Sequence, residues 1–205
     1  RRIAPSELTI RERRLHVLLV HRRIPPFEGM AAIPGGFVLP DESLDDAAAR
    51  ELREETGVDE VYLEQLYTFG DPGRDPRGRV VAVAYFALVP DAQRVMAGSD
   101  ASDAAWYPVE ALPRLAFDHA AIVDCAVQRL RNKLDYTNVG AGLLPERFTL
   151  TQLQAVHEAV LGDTLDKRNF RRKVLQRKLV TPLKSWQDTG RRPAQLFRFT
   201  AAVSG

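Results

Sequence analysis

The stretch "GGFVLPDESLDDAAARELREETGV", Gly35 to Val58, sets Glu51, Glu54 and Glu55 within little more than one helical turn. Like charges three and four residues apart on a helix repel by about 0.2–0.5 kcal/mol per pair. A helix is expected over residues 41–56, with Gly57 as its left-handed cap. At 100° per residue, Glu51 and Glu55 share an arc of about 100° with Leu44, Ala47 and Ala48, and Glu54 flanks it. Asp45, Asp46, Ala49 and Arg53 point away. A solvated acidic face would place the glutamates opposite the apolar side chains, and they are not opposite. Carboxylates that are partly withdrawn from water must neutralise or find cations. A set of oxygen donors at this density suits a hard divalent ion, Mg2+ or Mn2+.

Outward from this helix, the periodicity alternates between strand and helix. "LHVLLV" (residues 15–20) reads as a buried strand and "RRIPPFEGMAAIPGG" as a loop. "VYLEQLYTF" and "VVAVAYFALV" flank the polar loop "GDPGRDPRGR", which suggests antiparallel pairing. A further helix is expected over about residues 119–134. The first ten residues, "RRIAPSELTI", lack a long apolar run and do not read as a strong strand. Strands and helices in this order make an α/β (α+β) sandwich with a mixed sheet for residues 1–138.

After residue 138 the character changes. "TLTQLQAVHEAVLG" carries Leu150, Leu153, Val156 and Val160 on one stripe, opens on a capping-box pattern at Thr151 and Gln154, and ends at Gly162. "DKRNFRRKVLQRKLV" follows as a basic helix, with Asp166 as its N-cap and Phe170, Val174 and Leu175 on its buried side. Two strand-like runs around Asp188 and Gly190 complete a small winged helix-turn-helix over residues 139–205. Residues 140–205 hold twelve Lys/Arg against five Asp/Glu, net +7, which leaves −5 on the rest of the +2 chain. A basic unit of this outline suits DNA. Lys167, Arg168, Asn169, Arg172, Lys173 and Gln176 lie on the outer face of the basic helix, for phosphates and base edges, and Arg191 and Arg192 at the hairpin turn suit the adjacent backbone. A basic surface of an accessory domain is the plainer alternative.

Other classes are disfavoured. No apolar run reaches the roughly 18 residues of a membrane span, and no basic-then-apolar leader pattern is visible. Cys125 is the single cysteine and reads as a small buried hydrophobe. A cytoplasmic protein without membrane contact is expected. His16, His21, His119 and His157 show no ligand spacing.

Gly36, Glu42, Arg50-Glu51-Leu52, Glu54-Glu55 and Gly57-Val58 fall at the spacing that resembles the Nudix box, at every defined position over 23 residues. The resemblance implies the Nudix α/β/α sandwich and metal-dependent hydrolysis of a nucleoside diphosphate linked to another group. It implies that Glu51 and Glu55 are the principal metal ligands, with Glu54 beside them and the Gly35 carbonyl as an additional one. It implies also that Arg50 pairs with Glu42, while Gly36 and Gly57 serve backbone geometry. The general base is left open between Asp103, three residues before Trp106, its competitor Asp100, and Glu55.

Pro72-Gly73 resembles the Pro-Gly of the ADP-ribose pyrophosphatase branch, which implies hydrolysis of ADP-ribose to AMP and ribose 5-phosphate. Arg74, Arg77 and Arg79 in that loop are open to two readings, contact with phosphates or ribose and a solvated loop. Phe27 is equally open between stacking on adenine and ordinary packing. The whole arrangement, box followed by basic winged helix, resembles the NrtR-type Nudix regulators. That resemblance implies a homodimeric bacterial repressor of NAD-metabolism genes, binding double-stranded operator DNA and an ADP-ribose-like ligand. Many such proteins sense without cleaving, so a catalytically weak repressor is the alternative to an active hydrolase.

Overall fold

The computed structural model describes residues 1–57, 61–90, 104–134, 137–190 and 192–200. Strand β1 (Arg2–Arg11) lies at the centre of the main sheet, between β2 (Arg14–His21) and β5 (Ala82–Leu88). It runs antiparallel to β2 from Leu8 and parallel to β5 from Arg2. Beyond these lie β3 (Ala31–Ala32) next to β2 and β4 (Tyr62–Phe69) antiparallel to β5, while β6 (Ala105–Pro108) pairs with β2. The sheet is therefore mixed.

The N-terminal expectation is corrected here. "RIAPSELTIR" forms a ten-residue strand despite its few β-branched residues. Ile3, Ala4 and Leu8 are buried on its two faces, and the small Ala4, Pro5 and Ser6 fit where sheet and helices crowd from both sides. Pro5 is tolerated because pairing with β2 begins only at Leu8. Arg2 N–H turns to Val81 O in the β5 direction and Ile3 N–H to Gly36 O on the other side. Alternation turns the Pro5 nitrogen away from β5, where no ladder bond is lost.

Helix α1 (Leu44–Thr56) covers one face, pressing Ala47 and Ala48 onto Ile3, Val83 and Tyr85. It begins three residues later than expected because Ser43 is its N-cap, accepting from Asp46 N–H at 3.1 Å. Helix α2 (His119–Leu134) covers the other face with Ile122, Val123, Ala126, Val127 and Leu130. Cys125 is only half-buried, packed at the margin of this core. Arg129 donates to Glu64 Oε1 at 2.9 Å, and Lys133 and the Tyr62 hydroxyl also meet that carboxylate, tying α2 to β4.

A short helical turn (Val139–Leu143) follows, and a Cβ at Gly142 would lie 2.8 Å from Leu88 Cβ and 3.1 Å from Tyr62 Cβ. Only glycine lets this segment rest so closely on the ends of β4 and β5. Then come β7 (Phe148–Thr149), α3 (Leu150–Leu161), α4 (Lys167–Gln176), β8 (Val180–Gln187) and β9 (Ala194–Phe199), with sheet order β7-β9-β8. This is the winged helix-turn-helix. Its capping box falls at Thr149 and Gln152 rather than Thr151 and Gln154. Phe170 and Val174 are buried on α4, but Leu175 is 47% exposed and faces the wing groove instead of the core. No helix among the described residues is long and apolar enough to cross a membrane.

Candidate functional site

The box is built by α1 and the loop before it. Alanines 47 and 48 seat the helix, and one turn on, Glu51 emerges on the same face with only 7% of its surface exposed. A Cβ on Gly36 would lie 2.2 Å from Glu51 Oε1, closer than any real contact, so the glutamate rests in a cradle that only glycine leaves open. Gly57 adopts φ 69 and returns its N–H to Arg53 O at 2.8 Å, closing the helix.

Arg50 ties the box together. Its Nε and Nη2 reach Glu42 at 2.9 and 2.8 Å, and Nη1 reaches Glu51 Oε1 at 2.7 Å and Glu54 Oε2 at 3.2 Å. Glu42 also accepts from Leu39 N–H at 2.8 Å, and these bonds, Arg50 first, lower its pKa to about 2. Hydrogen bonds to Glu42 and Glu51 push Arg50 further up, so it stays charged. Below them, the Tyr85 hydroxyl donates to Asp45 Oδ1 at 2.5 Å, and burial raises its pKa.

Two expectations change. The Gly35 carbonyl, expected to face a metal, accepts from Arg2 Nη2 at 2.9 Å. Among the described residues, which leave out the Glu55 side chain, no three acidic, histidine or cysteine side chains converge as a ready metal cluster, and Arg50 pairs with both Glu51 and Glu54. The Glu55 side chain lies outside what is described, as does Asp103. The donors present still fit a divalent ion in kind: oxygen only, with Glu51 held fast by Gly36.

The arginines divide differently from expectation. Arg74 is buried and chelates Asp118, with Nε and Nη2 at 2.8 and 2.6 Å, so it braces the loop against α2 and is not a free ligand contact. Arg79 turns back to the Gly70 carbonyl. Arg77 pairs with Asp75 through two bonds at 3.0 and 2.7 Å, which lowers Asp75 to about 2. Its guanidinium lies 5.6 Å from the Phe117 ring centroid, and that of Arg22 lies 4.7 Å from the same ring. Phe27 packs edge-to-face on Phe117 at 4.9 Å and is still 37% exposed. Burial first, and then repulsion from the neighbouring guanidiniums, lowers the pKa of Arg2 and of Arg22. Arg22 and Arg77 flank one aromatic ring, a grouping whose charge suits an anion.

Arg2, Arg22, Phe117 and His119 were not singled out from sequence. His119 is 3% exposed, and its Nδ1 accepts from Ile33 N–H at 2.9 Å, which pins the loop leading into the box. Burial first, then Arg2, lowers its pKa to about 3, so it is neutral. No local sequence signal marks His119, because its partner Ile33 lies on a distant loop.

At the other end, Lys167, Arg168, Asn169, Arg172, Lys173 and Gln176 are all exposed on α4, and Arg192 is exposed on the wing. Arg172 Nη2 bonds Asn169 Oδ1 at 3.1 Å, and Asp166 caps the helix through Asn169 N–H at 2.8 Å. Arg191 lies outside the described residues. A groove of about 1000 Å3 separates α4 from the wing, lined by Thr151, Lys167, Arg171, Arg192 and Gln195.

A Nudix-type box and anion site joined to a winged helix define a two-domain class of protein. Residues 2–126 match the NUDIX domain family, and residues 140–199 match the NrtR DNA-binding winged helix domain. The chain belongs to the NrtR-type Nudix proteins. It is 41% identical over 191 residues to the ADPR responsive transcriptional repressor NtrR of Acinetobacter baylyi, covering 90% of this chain and 76% of that one. The crystal structure of Shewanella oneidensis NrtR complexed with a 27mer DNA superposes with a TM-score of 0.86 at 37% identity, over 97% of this chain and 93% of that one. The NUDIX domain of the same protein, complexed with ADP ribose, gives 0.56 at 39% identity, over 63% and 86%. An ADP-ribose pyrophosphatase of Methanocaldococcus jannaschii is 39% identical over 107 residues, 52% of this chain and 63% of that one. Nudix hydrolases as a class use divalent metal ions.

Proposed function

We propose that this protein is a transcriptional repressor that binds operator DNA through residues 139–205 and releases it when residues 1–138 take up ADP-ribose. The observation that carries this reading is the continuity of one hydrophobic core from Leu15, Leu130 and Leu134 through Val139 and Leu143 to Phe148, Val156, Phe170 and Phe197. Ligand and DNA sites thus stand on one packed body, the arrangement a ligand-responsive switch needs. A homodimer reads two half-sites, one α4 in each major groove.

The box also supports hydrolysis of ADP-ribose, in which water cleaves the diphosphate to give AMP and ribose 5-phosphate. Bound Mg2+ or Mn2+ supplies polarisation of the diphosphate and activation of water. Glu51 and Glu54, with Glu55, would hold it. Arg50 keeps Glu51 oriented between Glu42 and the Gly36 cradle, and Arg22 and Arg77 draw the diphosphate toward the box. Asp103 is the proposed base. The DNA-binding winged helix that follows the box makes sensing the principal role in this reading.

The test is a mobility shift with the protein's own upstream DNA, with and without ADP-ribose, and product analysis with Mg2+. Release of DNA by ADP-ribose is expected, with AMP formed slowly and abolished by Glu51→Gln. A complex indifferent to ADP-ribose would sink the regulatory reading, and intact ADP-ribose after prolonged incubation the enzymatic one.

A further inference from the structure

Arg2 sits at the start of the central strand, yet its guanidinium enters the box. Nη2 donates to Gly35 O at 2.9 Å, and the guanidinium carbon lies 5.8 Å from the Phe37 ring centroid. The backbone, not a flexible side chain alone, sets this position. Ile3 N–H donates to Gly36 O at 2.9 Å, Val38 N–H donates to Arg1 O at 3.2 Å, and Arg2 and Phe37 form an antiparallel bridge. Gly35 adopts φ 137, and a Cβ there would lie 2.3 Å from Ile3 O, so strand and box loop are in direct backbone contact.

Arg2 lies among charged groups of both signs. Desolvation and the neighbouring Arg22 and Arg77 oppose its charge, and Asp75 and Glu51 support it. Asp75 is already chelated by Arg77. The guanidinium of Arg2 is thus held at the Gly35 carbonyl, one peptide from the glycine that cradles Glu51.

We propose that Arg2 is a built-in cation of the box: it competes with a divalent ion for the Gly35 carbonyl and the field of Glu51, and directs its remaining charge to the diphosphate of the ligand. The diphosphate half rests on the function proposed above; the competition with metal does not. Two consequences follow from the same guanidinium. Divalent ions bind this chain more weakly than its complement of acids suggests, and nucleotide is held without them.

The experiment is Mn2+ titration of the full chain, read by electron paramagnetic resonance of the free ion, for the parent, Arg2→Gln and Arg2→Lys. Circular dichroism melts check that each is folded. Arg2→Gln retains a donor for the Gly35 carbonyl but removes the charge, and is expected to bind Mn2+ about tenfold tighter, as loss of one nearby like charge allows. Arg2→Lys, which retains the charge, is expected to stay within about twofold of the parent. The gained site must vanish in Arg2→Gln/Glu51→Gln. Arg2→Met replaces Arg2→Gln if the latter does not fold, with the same expected tightening. Unchanged Mn2+ affinity, or equal tightening in the lysine and glutamine variants, overturns the competition. In EDTA, calorimetric affinity for ADP-ribose is expected to fall about fivefold or more in Arg2→Gln; an unchanged value overturns the diphosphate half. If the parent itself does not bind ADP-ribose, the proposed function fails while the Mn2+ comparison still decides the role of Arg2.

Discussion

Gly36 shows how one missing side chain governs the box. A Cβ there would lie 2.2 Å from Oε1 and 2.7 Å from Cδ of Glu51, so Gly36→Ala must displace the glutamate. Overpacking of this kind costs about 1–3 kcal/mol of stability. The larger effect is expected on Mg2+-dependent turnover, which should drop by about a hundredfold, the scale at which misplacement of a reacting group by 1 Å is felt. Turnover equal to the parent in folded Gly36→Ala would show that Glu51 is not needed in this position. His119 carries a pH dependence. Its folded pKa, about 3, is below the ordinary 6.5, so between these values the unfolded chain takes a proton that the folded chain refuses. Stability is therefore complete above about pH 6.5 and is eroded as pH falls toward 3. His119→Asn, whose Oδ1 can still accept from Ile33 N–H, should flatten the pH 4–6.5 portion of the denaturation midpoint curve; superimposable curves would refute the assignment. Glu51 was legible from helical spacing because Ala47, Ala48 and Glu55, which share its face, lie within about one turn of it. His119 and Arg2 were not, since their partners Ile33 and Gly35 lie 86 and 33 residues distant along the chain.

Helix boundaries follow the competition between capping and strand pairing. The sequence offers two threonines two residues apart, each three before a glutamine. Thr149 is selected because Phe148 and Thr149 pair with Phe197 and Leu196 of β9, so the chain leaves the sheet and enters α3 at Leu150. Gln152 then donates its backbone N–H to Thr149 Oγ1 at 3.2 Å and accepts Thr149 N–H at 2.7 Å. Thr149→Ala should cost about 1 kcal/mol, the usual value of an N-cap. Thr151→Ala should cost less, since its hydroxyl only meets half-buried Arg171 at 3.2 Å. Urea denaturation of both variants checks the order, and a reversed order would restore the cap to Thr151. The legibility of β1 failed for a related reason. Its alternation is masked because both faces are covered, and small residues replace the β-branched run that a half-exposed strand would show. The basic helix α4 was legible almost throughout, except for Leu175, whose place facing the wing depends on a hairpin distant in sequence.

At the scale of the molecule, the charge asymmetry divides the chain in two while the packing does not. Arg131 Nε donates to Val160 O at 2.9 Å, Arg13 meets Glu158 at 3.2 Å, and the shared apolar core runs beneath both contacts. Glu158 also accepts from Leu165 N–H at 3.0 Å in the turn before α4, so the Nudix-side Arg13 reaches the base of the basic helix through a single carboxylate. A body connected in this way is expected to unfold as one cooperative unit rather than two. The slowest-exchanging amides of β5 in the main sheet and of α3 in the winged helix are therefore expected to report the same free energy of opening. Saturating ADP-ribose at 100 times its dissociation constant adds about 2.7 kcal/mol to the folded state. If the two domains are one thermodynamic body, that increment must appear in α3 as fully as in β5, although α3 touches no part of the anion site. Native-state hydrogen exchange measured residue by residue makes the comparison directly. An increment confined to β5, or a lower opening free energy in α3 that ADP-ribose leaves unchanged, would mean that the common core is too weak to carry the ligand's binding energy to the DNA-binding helix. Repression would then have to be relieved through dimer geometry instead.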